Sequence, residues 1–139
     1  ALKPLGDRVR IETAGDALDA DTAVVAAGAW SLALVKPLGL KLPLIAERGY
    51  HMTFPDPGIE LEHVVSEVEL HFAVTPMEPG LRIAGTEEIG LVDDPPSWRR
   101  AAVLQAHARR MFPNARLDIG TRWMGPRPGT PDSPGPPPR

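Results

Sequence analysis

His71-Phe72-Ala73-Val74-Thr75, Pro76-Met77-Glu78-Pro79-Gly80 and Leu81-Arg82-Ile83-Ala84-Gly85-Thr86 decide the fold class. Two stretches of strand character flank a break rich in proline and glycine. They read as an antiparallel hairpin with a five-residue loop. Upstream, Glu47-Arg48-Gly49-Tyr50-His51-Met52-Thr53-Phe54 is a further strand. Its period of two puts Tyr50, Met52 and Phe54 on one face and Gly49, His51 and Thr53 on the other. Pro55-Asp56-Pro57-Gly58 is a turn. His63–Val68 reads as an edge strand, because Glu62, Glu67 and Glu69 are awkward inside a sheet. Downstream, Asp93-Asp94-Pro95-Pro96-Ser97 breaks structure and Ser97 is placed to cap a helix. Ala101, Leu104, Ala108 and Met111 form its buried stripe, with Arg99, Arg100, Arg109 and Arg110 mainly off it. Pro113-Asn114 closes the helix and Leu117–Met124 reads as a last strand.

The first part of the chain carries smaller elements. Arg8–Thr13 alternates charged and apolar residues, Ala14-Gly15-Asp16 turns, and Ala17–Ala20 returns. Thr22–Ala27 is apolar and rich in β-branched residues, so it reads as a strand covered on both faces that completes a three-strand unit. It ends in Ala26-Ala27-Gly28-Ala29, small residues against which another backbone or a nucleotide-type ligand can lie. An ordinary core strand entering a turn explains the same residues. Ser31 is expected to cap a short helix, Leu32–Leu38, stopped by Gly39. The order of elements predicts an α+β fold: a mainly antiparallel mixed sheet with one long and one short helix. Boundaries are expected near residues 39 and 124. Seven of the 17 prolines lie beyond Gly125, so residues 125–139 are expected to be an extended, mobile tail.

The 139 residues suffice for one compact domain with a core. A net charge of −3 and a pI near 5.8 give no reason to expect nucleic acid as a partner. There is no cysteine, which excludes disulfides, thiolate metal sites and a cysteine nucleophile, and suits a reducing compartment. No apolar run approaches the roughly 20 residues that span a bilayer. Ala1-Leu2-Lys3-Pro4 reads as a start in mid-sequence. His51, His63, His71 and His107 fit no metal-ligand spacing, so no metal site is expected. Ser31 lacks a partnered His–Asp set. Asp93-Asp94 and Glu87-Glu88 read as solvated loop charges, and Trp98 and Trp123 as packing residues.

Several stretches resemble one family. Val24-Val25-Ala26-Ala27-Gly28-Ala29-Trp30-Ser31 is similar to a strand end of the D-amino acid oxidase (DAO) superfamily of FAD-dependent oxidoreductases. Glu47–His51 falls where that superfamily has a Gly-containing strand. Phe72–Pro76 followed by Leu81–Glu88 resembles its aromatic-x-x-x-Pro hairpin with a Gly-Thr-x-Glu return, and Trp123–Ser133 its Gly-x-Arg-Pro-x-Thr-x-Asp segment. The nearest look is that of bacterial D-amino acid dehydrogenase and glycine oxidase-like enzymes.

The resemblance implies oxidation of a D-amino acid or glycine-like amine by hydride transfer to flavin, giving an imino acid that hydrolyses to a keto acid and ammonia. It implies Arg127 as the anchor of the substrate carboxylate, a role its planar, permanently charged fork suits. Tyr50 and His51 would lie on the substrate-domain strand facing the flavin, only one of them pointing at the ring. Ala27, Gly28, Trp30 and Gly125 would approach the cofactor. Residues 1–39 would be a remnant of the FAD-binding domain, and 40–124 the substrate-binding domain. The family's Gly-x-Gly-x-x-Gly fingerprint is absent from this sequence. The expectation is therefore an internal slice of a cytoplasmic enzyme, or one peripheral to the inner membrane, that does not hold FAD unaided. The alternative is an inactive remnant serving as a binding module. Either way, an exposed former interface is expected to make it a homo-oligomer.

Overall fold

The structure, a computed structural model, describes residues 1–131. The described residues form two units: Ala1–Ala46 with residues 127–131, and Glu47–Pro126.

In the first unit, β1 (Leu2–Leu5), β2 (Arg8–Glu12) and β3 (Ala17–Ala20) make an antiparallel sheet in that order. Gly6 takes the left-handed conformation, φ 63°, in the tight turn between β1 and β2. Arg10 grips Asp19 with two hydrogen bonds of 2.6 and 2.7 Å across β2 and β3. The third strand is thus Leu2–Leu5, and Thr22–Ala27 is irregular, with Val24 88% exposed. β-branched residues favour a strand only where a neighbour completes the ladder, and no described residues pair with this segment. A 3₁₀ turn, Gly28–Trp30, leads into α1 (Ser31–Val35), and a second one, Lys36–Leu38, ends at Gly39 with φ 81°. Gly39 stops the helix as its sequence predicts. Ser31 does not cap it. Its own φ and ψ, −57° and −39°, are already helical, and Trp30 precedes the helix without a capping side chain.

The five-stranded sheet runs in the order β5 (Val65–Glu67), β6 (Phe72–Met77), β7 (Gly80–Gly90), β4 (Ile45–Phe54), β8 (Thr121–Gly129). The helix α2 (Trp98–Met111) covers one face. Tyr50, Met52 and Phe54 of β4, Phe72 and Val74 of β6, and Leu81 and Ile83 of β7 meet Ala101, Leu104 and Ala108 of α2 and Leu117 in one core. Complete burial of side chains such as Phe54 and Ile83 contributes about 1.5–3 kcal/mol each. β5 is an edge strand, as its glutamates predict.

Two boundaries differ from the sequence expectation. The β6–β7 connection is two residues, Glu78-Pro79, because Met77 already pairs with Gly80. Gly80 sits at φ 119°, and a Cβ there would lie 2.2 Å from the Phe54 carbonyl oxygen, so only glycine lets the hairpin close against β4. The last strand is Thr121–Gly129 and not Leu117–Met124. Leu117, 1% exposed, anchors the core before the strand begins. Pro126 and Pro128 are accommodated because β8 is an edge, where a missing N–H leaves no ladder bond unmade. Residues 125–129, expected in the tail, therefore belong to the sheet, and the rest of that tail from Asp132 lies outside the described residues.

Candidate functional site

β4 separates two chemistries. Tyr50, 2% exposed, turns toward α2. Its ring meets Trp98 edge to face at 6.3 Å. Its hydroxyl donates to Glu88 and accepts from the Ser97 N–H at 2.8 Å. Burial, then the bond to Glu88, pushes the phenol pKa up. Glu88 also accepts from Arg100 Nε at 2.9 Å and lies 3.6 Å from Arg48 Nη2. Arg48, 2% exposed, donates to the Asp94 and Pro95 carbonyls at 2.9 and 2.8 Å. The hydrogen bond from Tyr50 and the Arg100 and Arg48 charges hold the Glu88 carboxyl below its usual range.

Glu88 is thus part of β7 and a half-buried junction, where its sequence context reads as a solvated loop. One signal was available: Arg48 precedes Tyr50, Met52 and Phe54 by the strand period, so a cation on the apolar face demanded an acidic partner. Which acid answers it depends on the phase of β7. Ile83 and Gly85 face the helix, yet Thr86 and Glu88 are the residues that Arg100 reaches, so the alternation shifts by one residue there.

His51 emerges on the opposite, open face. Its imidazole stacks on the Trp123 indole at 4.7 Å with 20° between planes. Burial, then the Arg82 charge, depresses its pKa, which favours the neutral ring. Arg82 of β7 is flanked by Leu81 and Ile83, which point into the core, so its side chain also leaves the sheet on the open side. Gly125 lies beneath Trp123: a Cβ there would stand 1.9 Å from the indole. The ring that stacks on His51 therefore requires a glycine two residues along β8. Trp98 packs on Tyr50, while Trp123 stays 53% exposed. Arg127 is exposed near the end of β8.

In the first unit, Ala27 and Gly28 are half-buried and Trp30 is 51% exposed. Gly28 has φ 55°, with nothing within 4 Å of the place a Cβ would take. The Trp30 N–H donates to the Ala27 carbonyl at 3.1 Å. Among the described residues no cluster of three His, Asp or Glu is placed to hold a metal ion, and no helix is long and apolar enough to cross a membrane.

Similarity to known proteins agrees with this architecture. A D-amino-acid oxidase of Bradyrhizobium diazoefficiens is 38% identical over 136 residues, covering 94% of this chain and 32% of that protein. The crystal structure of glycine oxidase from Geobacillus kaustophilus superposes with a TM-score of 0.74 at 22% identity, over 94% of this chain and 36% of that one. That identity speaks for the fold alone. The chain spans about a third of the length of both relatives. The family profile described as FAD dependent oxidoreductase (DAO) matches residues 2–137, and the chain belongs to that family.

Proposed function

We propose that this chain supplies the substrate-side wall of an FAD-dependent oxidoreductase acting on D-amino acids or glycine-like amines. The observation that carries the reading is the division made by β4. Tyr50 is sealed under α2, whereas His51, Trp123 and Arg82 stand on a face that α2 leaves free. His51 is therefore the member of the Tyr50–His51 pair that faces the reaction. Arg127, exposed on β8, is assigned the anchoring of the substrate carboxylate, a task its charged, planar fork suits.

The segment around Gly28 fits the edge of a flat coenzyme, since its side chains are small and the space beside Gly28 is open. Ala27, Gly28 and Trp30 would border FAD there. When bound, FAD supplies the hydride acceptor for the substrate α-carbon. The chain's own residues bind and orient. Arg127 would fix the carboxylate by two parallel N–H bonds. The substrate reacts as its free amine, from which neutral His51 can accept a hydrogen bond, and the nitrogen lone pair forms the imine as hydride leaves. The imino acid then takes up water and releases ammonia.

Propionate, a substrate-like carboxylate, tests the anchor. Arg127→Met should weaken its binding about tenfold or more, the effect of losing a charge-assisted pair. Unchanged affinity would refute the assignment. The lone chain is proposed not to retain FAD, so stoichiometric absorbance at roughly 450 nm in purified protein would contradict that part. Self-association through exposed apolar residues such as Ile89, Leu91 and Ile119 is proposed as well. Sedimentation as a monomer at micromolar concentration would overturn it.

A further inference from the structure

We propose that a cleft on the helix-covered side of the second unit binds a zwitterionic α-amino acid with a compact apolar side chain, at a site separate from the open face of His51. The cleft has a volume of about 350 Å³ and lies between the β5–β6 turn and the last turns of α2. Its two sides carry opposite charge. On the turn side, Glu67 and Glu69 present carboxylates. On the helix side, His107 and Arg110 are one turn apart, on the same face of α2, and present an imidazole and a guanidinium. Buried Phe72 and half-buried Met111 add apolar surface to the cleft. No cluster of three His, Asp or Glu is placed for a metal ion among the described residues, so these acids are not a cation cage.

The two sides do not satisfy one another. Arg109 reaches Asp118 and Arg100 reaches Glu88, yet Arg110, Glu67 and Glu69 form no ion pair among the described residues. The turn is nevertheless fixed. The Glu67 carboxylate accepts from the Leu70 N–H, and His71 Nδ1 lies 3.1 Å from the Glu69 carbonyl oxygen. His71 is left-handed, φ 55°, and its carbonyl oxygen would stand 2.7 Å from a Cβ on Gly85. A non-glycine residue keeps that conformation only where its surroundings over-determine it. On the helix, the His107 ring packs on Phe72 at 5.9 Å, and its Nδ1 is enclosed without a partner. The ring proton therefore belongs on Nε2, which is not enclosed and can donate. A lone anion on Arg110 would face two carboxylates, and a lone cation on the glutamates would face a guanidinium. An α-amino acid carries both charges a few bonds apart. Its carboxylate takes Arg110 and the His107 Nε2–H, its ammonium takes Glu67 and Glu69, and its side chain covers Phe72 and Met111.

The probe is 1-aminocyclopentane-1-carboxylate, an achiral amino acid with no α-hydrogen, so oxidation cannot confuse the result. With only four histidines in the chain, the His107 Cε1–H resonance is assigned in the NMR spectrum by its loss in His107→Gln. The full chain is titrated with the probe, with cyclopentanecarboxylate, which lacks the ammonium, and with cyclopentylamine, which lacks the carboxylate. The amino acid should shift the His107 resonance saturably, and each half-molecule should need at least about tenfold more. Arg110 and Glu69 are exposed, so Arg110→Gln and Glu69→Gln keep the fold. Each should weaken binding about tenfold, the effect of one charge-assisted bond, while Arg127→Met leaves it within about twofold. A His107 resonance that the amino acid leaves still overturns the proposal. So does one that either half-molecule moves at equal concentration, and so does unchanged affinity in Arg110→Gln or Glu69→Gln. Loss of the shift in Arg127→Met would also overturn it, because the ligand would then be read at the carboxylate anchor and not in this cleft.

Discussion

Removing the Glu88 carboxylate should be the most damaging single change to a polar group in the second unit. In Glu88→Ala, the Tyr50 hydroxyl loses its acceptor and Arg100 Nε loses a 2.9 Å bond. Arg48, with 3% of its side chain exposed, keeps only Asp94 at 3.7 Å and two carbonyls. The Arg100 contribution is discounted, because 36% of that side chain meets solvent. The buried Arg48 charge dominates. Breaking such a pair on one side costs about 3–5 kcal/mol. With a urea m-value of about 1.5 kcal/mol/M, the unfolding midpoint should fall by about 2–3 M. Arg48→Met in the same background should recover part of the loss, because it removes the stranded charge. The Glu88 contribution is in place above the ordinary carboxylate pKa of 4.5, and disappears as pH falls through the lower folded value. A cost below about 1 kcal/mol, or strict additivity with Arg48→Met, would show that Arg48 is not desolvated as described.

Other expectations are more local. The His51 imidazole should titrate below 6.5 by NMR. Because the unfolded chain then binds the proton more tightly, its contribution to stability is whole above pH 6.5 and falls as pH drops toward the folded value. A His51→Gln variant should lose that slope, and an unchanged slope would refute it. Gly125→Ala should drive the Trp123 ring off His51 and change indole fluorescence, whereas an unaltered emission spectrum would contradict the 1.9 Å approach. Gly80→Ala meets backbone atoms at positive φ, so a destabilisation of about 2 kcal/mol or more is expected from urea unfolding. Asp118→Ala breaks an ion pair exposed at 48% and 81%, and should cost less than about 1 kcal/mol by the same measurement.

Much of the second unit was legible because local rules and tertiary packing agree there. The alternation of β4, the stripe Ala101, Leu104, Ala108 and the glutamates beside β5 each state which face is wet, and the fold obeys them. The first unit was less legible. Thr22–Ala27 has the composition of a buried strand, but composition cannot supply the neighbour that a ladder needs, and β1 takes the place expected for it. The site shows the same divide. Tyr50 and His51 could be assigned to opposite faces from sequence, yet not which face the helix would cover.

By itself the sequence determined the α+β class, the long helix and its buried side, the hairpin, and membership of a flavin-dependent family, because periodicity, turn residues and short motifs are local properties of the chain. Only the tertiary structure decided that Glu88 answers Arg48, that Trp123 lies on His51 and over Gly125, and that Arg82 is left without an ion pair. Those pairings join residues from β4, β7 and β8. Their energies depend on burial and distance, which exist only once the strands are in register and the helix has closed one face.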